Sequence, residues 1–209
     1  MSDLTYVHRF IAGGDDAAPA LLLLHGTGGD ENDLIPLGQA LLPGAAVLSL
    51  RGNVLERGMP RFFRRIAEGV FDLEDLARRT GELAAFLDAA QAQYGIGKLI
   101  AVGYSNGANI AASLLLRDPR HVAGAVLFRA MVPFEPDGTP DLSRVPIFLG
   151  AGERDGIVPQ ENTGRLAAMF DSAGAPVTLH WHRGGHELSN ADLTAARDWL
   201  QTVKLKRVL

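Results

Sequence analysis

Ser105 sits in Gly103-Tyr104-Ser105-Asn106-Gly107, between the apolar run Leu99 to Val102 and a small-residue stretch from Ala108 to Arg117. A strand that turns sharply into a helix lifts the central serine into the open, and the flanking glycines keep side chains from colliding across the turn. The same turn sets Ser105 at a helix N-terminus, where unpaired N–H groups and the helix dipole favour negative charge. A serine hydroxyl is a weak nucleophile at neutral pH. It needs a base to take its proton and a third group to orient that base. Without such partners the pentapeptide reads equally well as a helix cap.

In an open α/β sheet, reacting groups gather beyond the carboxyl ends of the strands. After the apolar run Val145 to Gly150 comes Ala151-Gly152-Glu153-Arg154-Asp155, ahead of a helix beginning at Pro159. Asp155 is preferred over Glu153 as the acid because it lies nearer that helix. After the run Val177 to Trp181 comes His182-Arg183-Gly184-Gly185-His186-Glu187, where two glycines let the loop turn back and present His186 as the base. The chain order Ser105, Asp155, His186 is the one a nucleophile elbow uses in such a sheet. A tetrahedral intermediate also needs an oxyanion hole. One donor is expected from the N–H of Asn106, and the second from Thr27 in His25-Gly26-Thr27-Gly28-Gly29. That glycine-rich loop reads poorly as a phosphate cradle, since no Gly-Lys-Ser/Thr follows; a plain turn is its alternative.

Histidines offer a competing chemistry. His180, His182 and His186 could be taken for metal ligands, but no carboxylate stands at a recognised ligand spacing, so no metal is expected. His180 and His182 are expected as a half-buried pair flanking Trp181, and His8 and His121 as surface residues.

These groups need elements to position them. Thr5 to Ile11 reads as an edge strand ended by Gly13-Gly14-Asp15-Asp16, and Ala20 to Leu24 as a strand buried on both faces. Asp30 to Leu42 reads as a helix and Ala45 to Leu50 as a strand, followed by a long loop carrying Arg51 and Arg61-Phe62-Phe63-Arg64-Arg65. Asp72 is the expected N-cap of a helix to about Tyr94, stopped by Gly95 and weakened by Gly81. Gly124 to Phe128 is another strand. The Pro159 helix should stop near Gly174, and Ser189-Asn190-Ala191-Asp192 predicts a capping box for a last helix. Strands alternate with helices throughout. The expectation is a single α/β domain over residues 1–209, a mostly parallel sheet with helices on both faces.

The whole chain sets further bounds. It has 209 residues, 47% hydrophobic and 21% charged, as in ordinary globular proteins. A net charge of −4 provides no field for nucleic acid. No apolar run reaches bilayer-spanning length, so stable membrane insertion is not expected. Met1-Ser2-Asp3-Leu4 lacks a charged n-region followed by an apolar h-region, so a secretory signal is not expected. With no cysteine there is no disulfide, thiolate metal site or cysteine nucleophile, and a cytoplasmic setting is the expectation.

Leu24-His25-Gly26-Thr27-Gly28-Gly29-Asp30, Gly103-Tyr104-Ser105-Asn106-Gly107, Asp155-Gly156-Ile157-Val158-Pro159 and Gly184-Gly185-His186 together resemble the phospholipase/carboxylesterase group of α/β-hydrolases, which includes the acyl-protein thioesterases. The resemblance spans about residues 20–203. It is nearest to short bacterial carboxylesterases associated with hydroquinone or catechol resistance, in which segments like Arg61-Phe62-Phe63 occur. It implies an α/β-hydrolase fold and hydrolysis of small-molecule esters or thioesters without metal or cofactor. It also implies Ser105 as nucleophile, His186 as base, Asp155 as its partner, and a homodimer. The thioesterase branch has glutamine and leucine where this chain has Asn106 and Thr27, which argues against a protein or phospholipid substrate. Lids in this architecture usually follow the strand after the nucleophile helix, and the short segment Arg129 to Arg144 predicts an open site with minimal or no lid. Its lining is expected from Met59, Phe62 and Phe63, and from Met131, Val132 and Phe134. Arg61, Arg64 and Arg65 are read as a solvated basic loop, with attraction of an anionic substrate as the alternative. Short- to medium-chain carboxylic esters, aryl esters included, are the expected substrates. The alternatives are lysophospholipase or acyl-thioesterase activity, a non-ester bond cleaved by the same residues, and a binding protein without catalysis.

Overall fold

The computed structural model describes residues 4–14 and 19–203. Asp15 and Asp16 of the expected first turn lie outside them, as do Met1, Ser2 and Asp3. In chain order the elements are β1 (His8–Ile11), β2 (Ala20–Leu24), α1 (Ile35–Leu41), β3 (Val47–Leu50), β4 (Val54–Glu56), β5 (Met59–Arg61), β6 (Arg65–Ala67), β7 (Val70–Phe71), α2 (Leu73–Tyr94), β8 (Leu99–Tyr104), α3 (Asn106–Arg117), β9 (Val122–Phe128), β10 (Ile147–Gly152), α4 (Gln160–Ser172), β11 (Val177–His182) and α5 (Asn190–Thr202).

Among the described residues the main sheet has seven strands in the order β1-β3-β2-β8-β9-β10-β11, parallel except for the antiparallel edge strand β1. Parallel pairing needs crossovers, and the helices that make them cover both faces. Side-chain alternation divides the core accordingly. Leu22 and Leu24 join the cluster under α2, α3 and α4, whereas Leu21 and Leu23 join the one under α1 and α5. Every residue of β2 is buried, as the unbroken leucine run requires. The sheet's C-terminal edge therefore collects the loops after β2, β8, β9, β10 and β11.

Local chemistry sets the element ends. The Asp72 side chain accepts from Asp75 N–H, opening α2, and Gly95 closes it at φ 63°. Ser189 and Asp192 form the reciprocal capping box of α5. Helix α1 is shorter than Asp30 to Leu42, because Asp30 Oδ1 accepts the Asn32 N–H at 2.7 Å and holds that segment in turns. The helix begins only where Pro36, lacking an N–H, fits the first turn.

The expectations for the segment after β3 and for His121 and His8 are also corrected. The segment after β3 is not one loop but two antiparallel hairpins, β4–β5 and β6–β7. His121 is buried, with Nδ1 against Gln91 Oε1 at 2.7 Å, because the 3₁₀ turn Pro119–His121 tucks the ring under α2. His8 is half-buried and bonded to the Tyr94 hydroxyl. Among the described residues no helix is long and apolar enough to cross a membrane.

Candidate active site

Strand β8 ends at Tyr104, and α3 begins two residues later. Ser105 between them takes φ 52° and ψ −115°, a conformation that costs a non-glycine residue about 1–3 kcal/mol. Its side chain caps nothing. The strain is held by close packing. A Cβ on Gly107 would lie 2.0 Å from Leu24 O, and one on Gly103 would lie 2.7 Å from the Ala108 backbone. Both glycines are required by the approach of α3 to the sheet.

His186 Nε2 lies 3.0 Å from Ser105 Oγ, and its Nδ1 lies 2.8 Å from Asp155 Oδ2. The Asp155 carboxylate is 1% exposed, and its other oxygen accepts the N–H groups of Ile157 at 2.8 Å and Val158 at 2.9 Å. Such donors fix the carboxylate and leave one oxygen for an imidazole N–H. A hydroxyl, an imidazole and a carboxylate so connected can pass the hydroxyl proton to the ring and stabilise the resulting imidazolium. Glu153 is exposed and its carboxylate takes no part in this chain of contacts. His180 stacks on Phe148 and His182 faces Arg129, so they do not converge with His186. Among the described residues no cluster of histidines and carboxylates could hold a metal ion.

On the other side of Ser105, the N–H groups of Gly28 and Gly29 are taken by Pro60 O and Gly26 O. Thr27 N–H and Asn106 N–H have no protein acceptor among the described residues, which leaves two donors for a developing oxyanion. Buried His25 braces this loop: Nδ1 donates to Gly26 O at 2.6 Å, and Nε2 accepts the Gly52 N–H at 3.0 Å. Desolvation lowers its pKa from the ordinary imidazole value and keeps it neutral for both bonds. The Asn106 side chain ties the elbow to the first hairpin by accepting the Phe62 N–H at 2.7 Å.

Ser105, Thr27, Asn106 and His186 share a cavity of about 280 Å³. Of the expected lining, only Met131 is there. Phe62 and Phe63 are fully buried core, because β5 carries the chain inward before the second hairpin returns to the surface. Met59 packs near Gly28, outside the cavity wall, and Val132 and Phe134 pack against the core. The wall is instead made by Phe71, Glu68 and Arg65 of the second hairpin and by Ile157 and Val158 of the Asp155 loop. The hairpins after β3 thus supply much of the wall, and residues 129–144 add Arg129 and Met131. Arg61, expected in a solvated loop, is 3% exposed and donates to Thr27 Oγ1 at 2.5 Å.

Residues 19–154 match the family model described as the alpha/beta hydrolase fold. A protein of Bacillus subtilis (strain 168) named as a hydrolase, MhqD, is 48% identical over 181 residues, 86% of this chain and 90% of that protein. The chain belongs to the α/β-hydrolase family. The crystal structure of a Bacillus cereus carboxylesterase is similar, with a TM-score of 0.93 and 46% identity over 96% of this chain and 95% of that one. A carboxylesterase from Mesorhizobium loti matches with a TM-score of 0.90 and 30% identity, covering 97% and 98% of the two chains.

In this α/β-hydrolase the largest contribution that sequence reasoning missed is Arg129. It follows β9 directly, takes φ 56°, and is 1% exposed. Its Nη1 and Nη2 donate to Asp192 Oδ1 and Oδ2 at 2.8 and 2.9 Å. Its Nε and Nη2 donate to Gly185 O and Glu187 O, the carbonyls on either side of His186. Burial alone would raise the Asp192 pKa, but hydrogen bonds from Arg129 and Ser189 hold it below the usual carboxylate range. The Tyr104 hydroxyl adds a bond to His186 O at 3.1 Å. An arginine after a strand carries no motif, so only the capping box at Asp192 hinted at this network.

Proposed function

We propose that the protein is a serine carboxylesterase for small carboxylic esters, acting through Ser105, His186 and Asp155 and an acyl-enzyme. The observation that carries this reading is the continuous path from Ser105 Oγ through His186 to the buried Asp155 carboxylate, 3.0 and 2.8 Å per step. Ser105 Oγ attacks the ester carbonyl while His186 Nε2 takes its proton; Asp155 holds the ring and balances its charge. The N–H groups of Thr27 and Asn106 stabilise the oxyanion, each worth about 3 kcal/mol of barrier. His186 returns the proton to the leaving alkoxide. Water then attacks the acyl-enzyme by the same route. The names of the Bacillus cereus and Mesorhizobium loti structures support an ester substrate. A cavity of about 280 Å³ favours a short acyl group over a lipid chain. We also propose a homodimer, carried by the family resemblance alone, which light scattering tests.

Hydrolysis of p-nitrophenyl acetate, butyrate, octanoate and palmitate, with Ser105→Ala in parallel, tests the reading. Turnover that falls with chain length and disappears in the variant is expected. A preference for octanoate or palmitate would favour a lysophospholipase or thioesterase. Equal turnover by folded Ser105→Ala would remove the serine mechanism.

A further inference from the structure

The mechanism above leaves Arg61 and Arg65 without a role, although both form part of the cavity wall beside Ser105. Burying a guanidinium is unfavourable unless its charge and its donors are met. For Arg61, at 3% exposure, they are met only in part. Its Nε donates to Phe63 O at 3.2 Å and one Nη1 hydrogen to Thr27 Oγ1. Among the described residues, Nη2 and the second Nη1 hydrogen have no hydrogen-bond acceptor.

The charge is also shared thinly. Glu56 Oε2 lies 3.1 Å from Arg61 Nε without forming a hydrogen bond, while Glu56 Oε1 accepts from Arg65 Nε at 2.9 Å. One carboxylate thus serves two guanidiniums. Glu68, the carboxylate of the cavity wall, is 63% exposed and reaches Arg65 Nη1 only at 4.0 Å. The third arginine of the wall, Arg129, is matched by Asp192. Desolvation, then the neighbouring Arg65, lowers the Arg61 pKa from the ordinary guanidinium value, in keeping with a cation short of counter-charge; an arginine nevertheless stays protonated.

A desolvated cation with spare N–H donors suits a planar anion that can accept two of them. Resting on the esterase reading, we propose that this site takes esters bearing a second group that is anionic, a carboxylate, with Arg61 and Arg65 as its counter-ions. Arg61 touches the Thr27 side chain, and Thr27 N–H is assigned to the carbonyl oxygen. The carboxylate therefore lies a few bonds from the scissile carbonyl, on the acyl or the alcohol side.

Two matched pairs separate the sides in a pH-stat assay, each rate normalised to hydroxide-catalysed hydrolysis. Monoethyl glutarate against ethyl 5-methylhexanoate tests the acyl side, with an isopropyl group in place of the carboxylate. 4-Acetoxybenzoate against 4-isopropylphenyl acetate tests the alcohol side. The charged member of at least one pair should show a kcat/KM higher by about tenfold or more, the size of a charge-assisted hydrogen bond. That ratio should fall in Arg65→Gln and further in Arg61→Gln. Arg65 is half-buried and touches neither Ser105 nor Thr27, so its variant keeps the test open if Arg61→Gln does not fold. Neutral esters equal to or better than charged ones in both pairs would overturn the proposal. So would variants that lower charged and neutral rates by the same factor, which would reduce Arg61 to a support for Thr27. Ser105-dependent turnover of the neutral members shows that the esterase reading stands even if the preference fails. No turnover of any of the four by folded protein would overturn both.

Discussion

At the scale of single residues, the Asp155 carboxylate spends one oxygen on two backbone N–H groups and the other on His186. Asp155→Asn keeps the shape but removes the charge and offers an N–H where an acceptor is needed. It should cut kcat by about 10⁴ while leaving the unfolding midpoint nearly unchanged; steady-state kinetics beside a urea titration checks both. A fully active variant would move the acid role elsewhere. Asp155 was legible because helix-proximal loop position distinguishes it from Glu153 two residues earlier. Arg61 was not. Composition shows a run of cations, and only the inward turn of β5 shows that one of them is desolvated. Phe62 and Phe63 misled for the same reason: an aromatic pair beside a site reads as lining until the strand's direction is known.

At the scale of elements, the site depends on loops that meet without space for a side chain. A Cβ on Gly152 would lie 2.2 Å from Gly185 O, so the Asp155 and His186 loops lie against each other. Arg129 then clamps the His186 loop to β10 and α5. Arg129→Ala leaves Asp192 buried without its partner and should destabilise the fold by about 3–5 kcal/mol. Arg129→Lys keeps the charge but not the forked donors, and should lower kcat more than it raises KM; kinetics of the lysine variant separates a positioning role from a loss of fold. Elsewhere the structure permits gain. Gly81 is exposed within α2, and a Cβ there meets nothing within 4 Å. Gly81→Ala should stabilise by about 0.5–1 kcal/mol, read as a rise in thermal midpoint. The helices and parallel strands were legible from apolar spacing and caps. The two hairpins were not, because strands of two or three residues carry too little pattern to stand out from a loop.

At the scale of the whole molecule, stability should depend on two buried histidines that sequence reading treated differently. Desolvation lowers the pKa of both His25 and His121. The unfolded chain therefore takes up protons that the folded one refuses. Their contribution is fully present above about pH 6.5, the unfolded value, and is lost as pH falls toward their folded values. The urea midpoint should drop between about pH 7.5 and about pH 5, and His121→Gln should shrink that drop; an unchanged drop would assign it to other groups. His121 could not be placed from sequence because its burial follows from one 3₁₀ turn against α2. The parallel sheet, by contrast, already dictates that Ser105, Asp155 and His186 come to one edge. The most direct test of their joint action is rapid mixing with p-nitrophenyl acetate, followed by peptide mapping of the quenched protein. The account predicts a burst of p-nitrophenol equal to the enzyme present and an acetyl group on Ser105. Turnover without acylation of Ser105, or with the acetyl group on another residue, would contradict it.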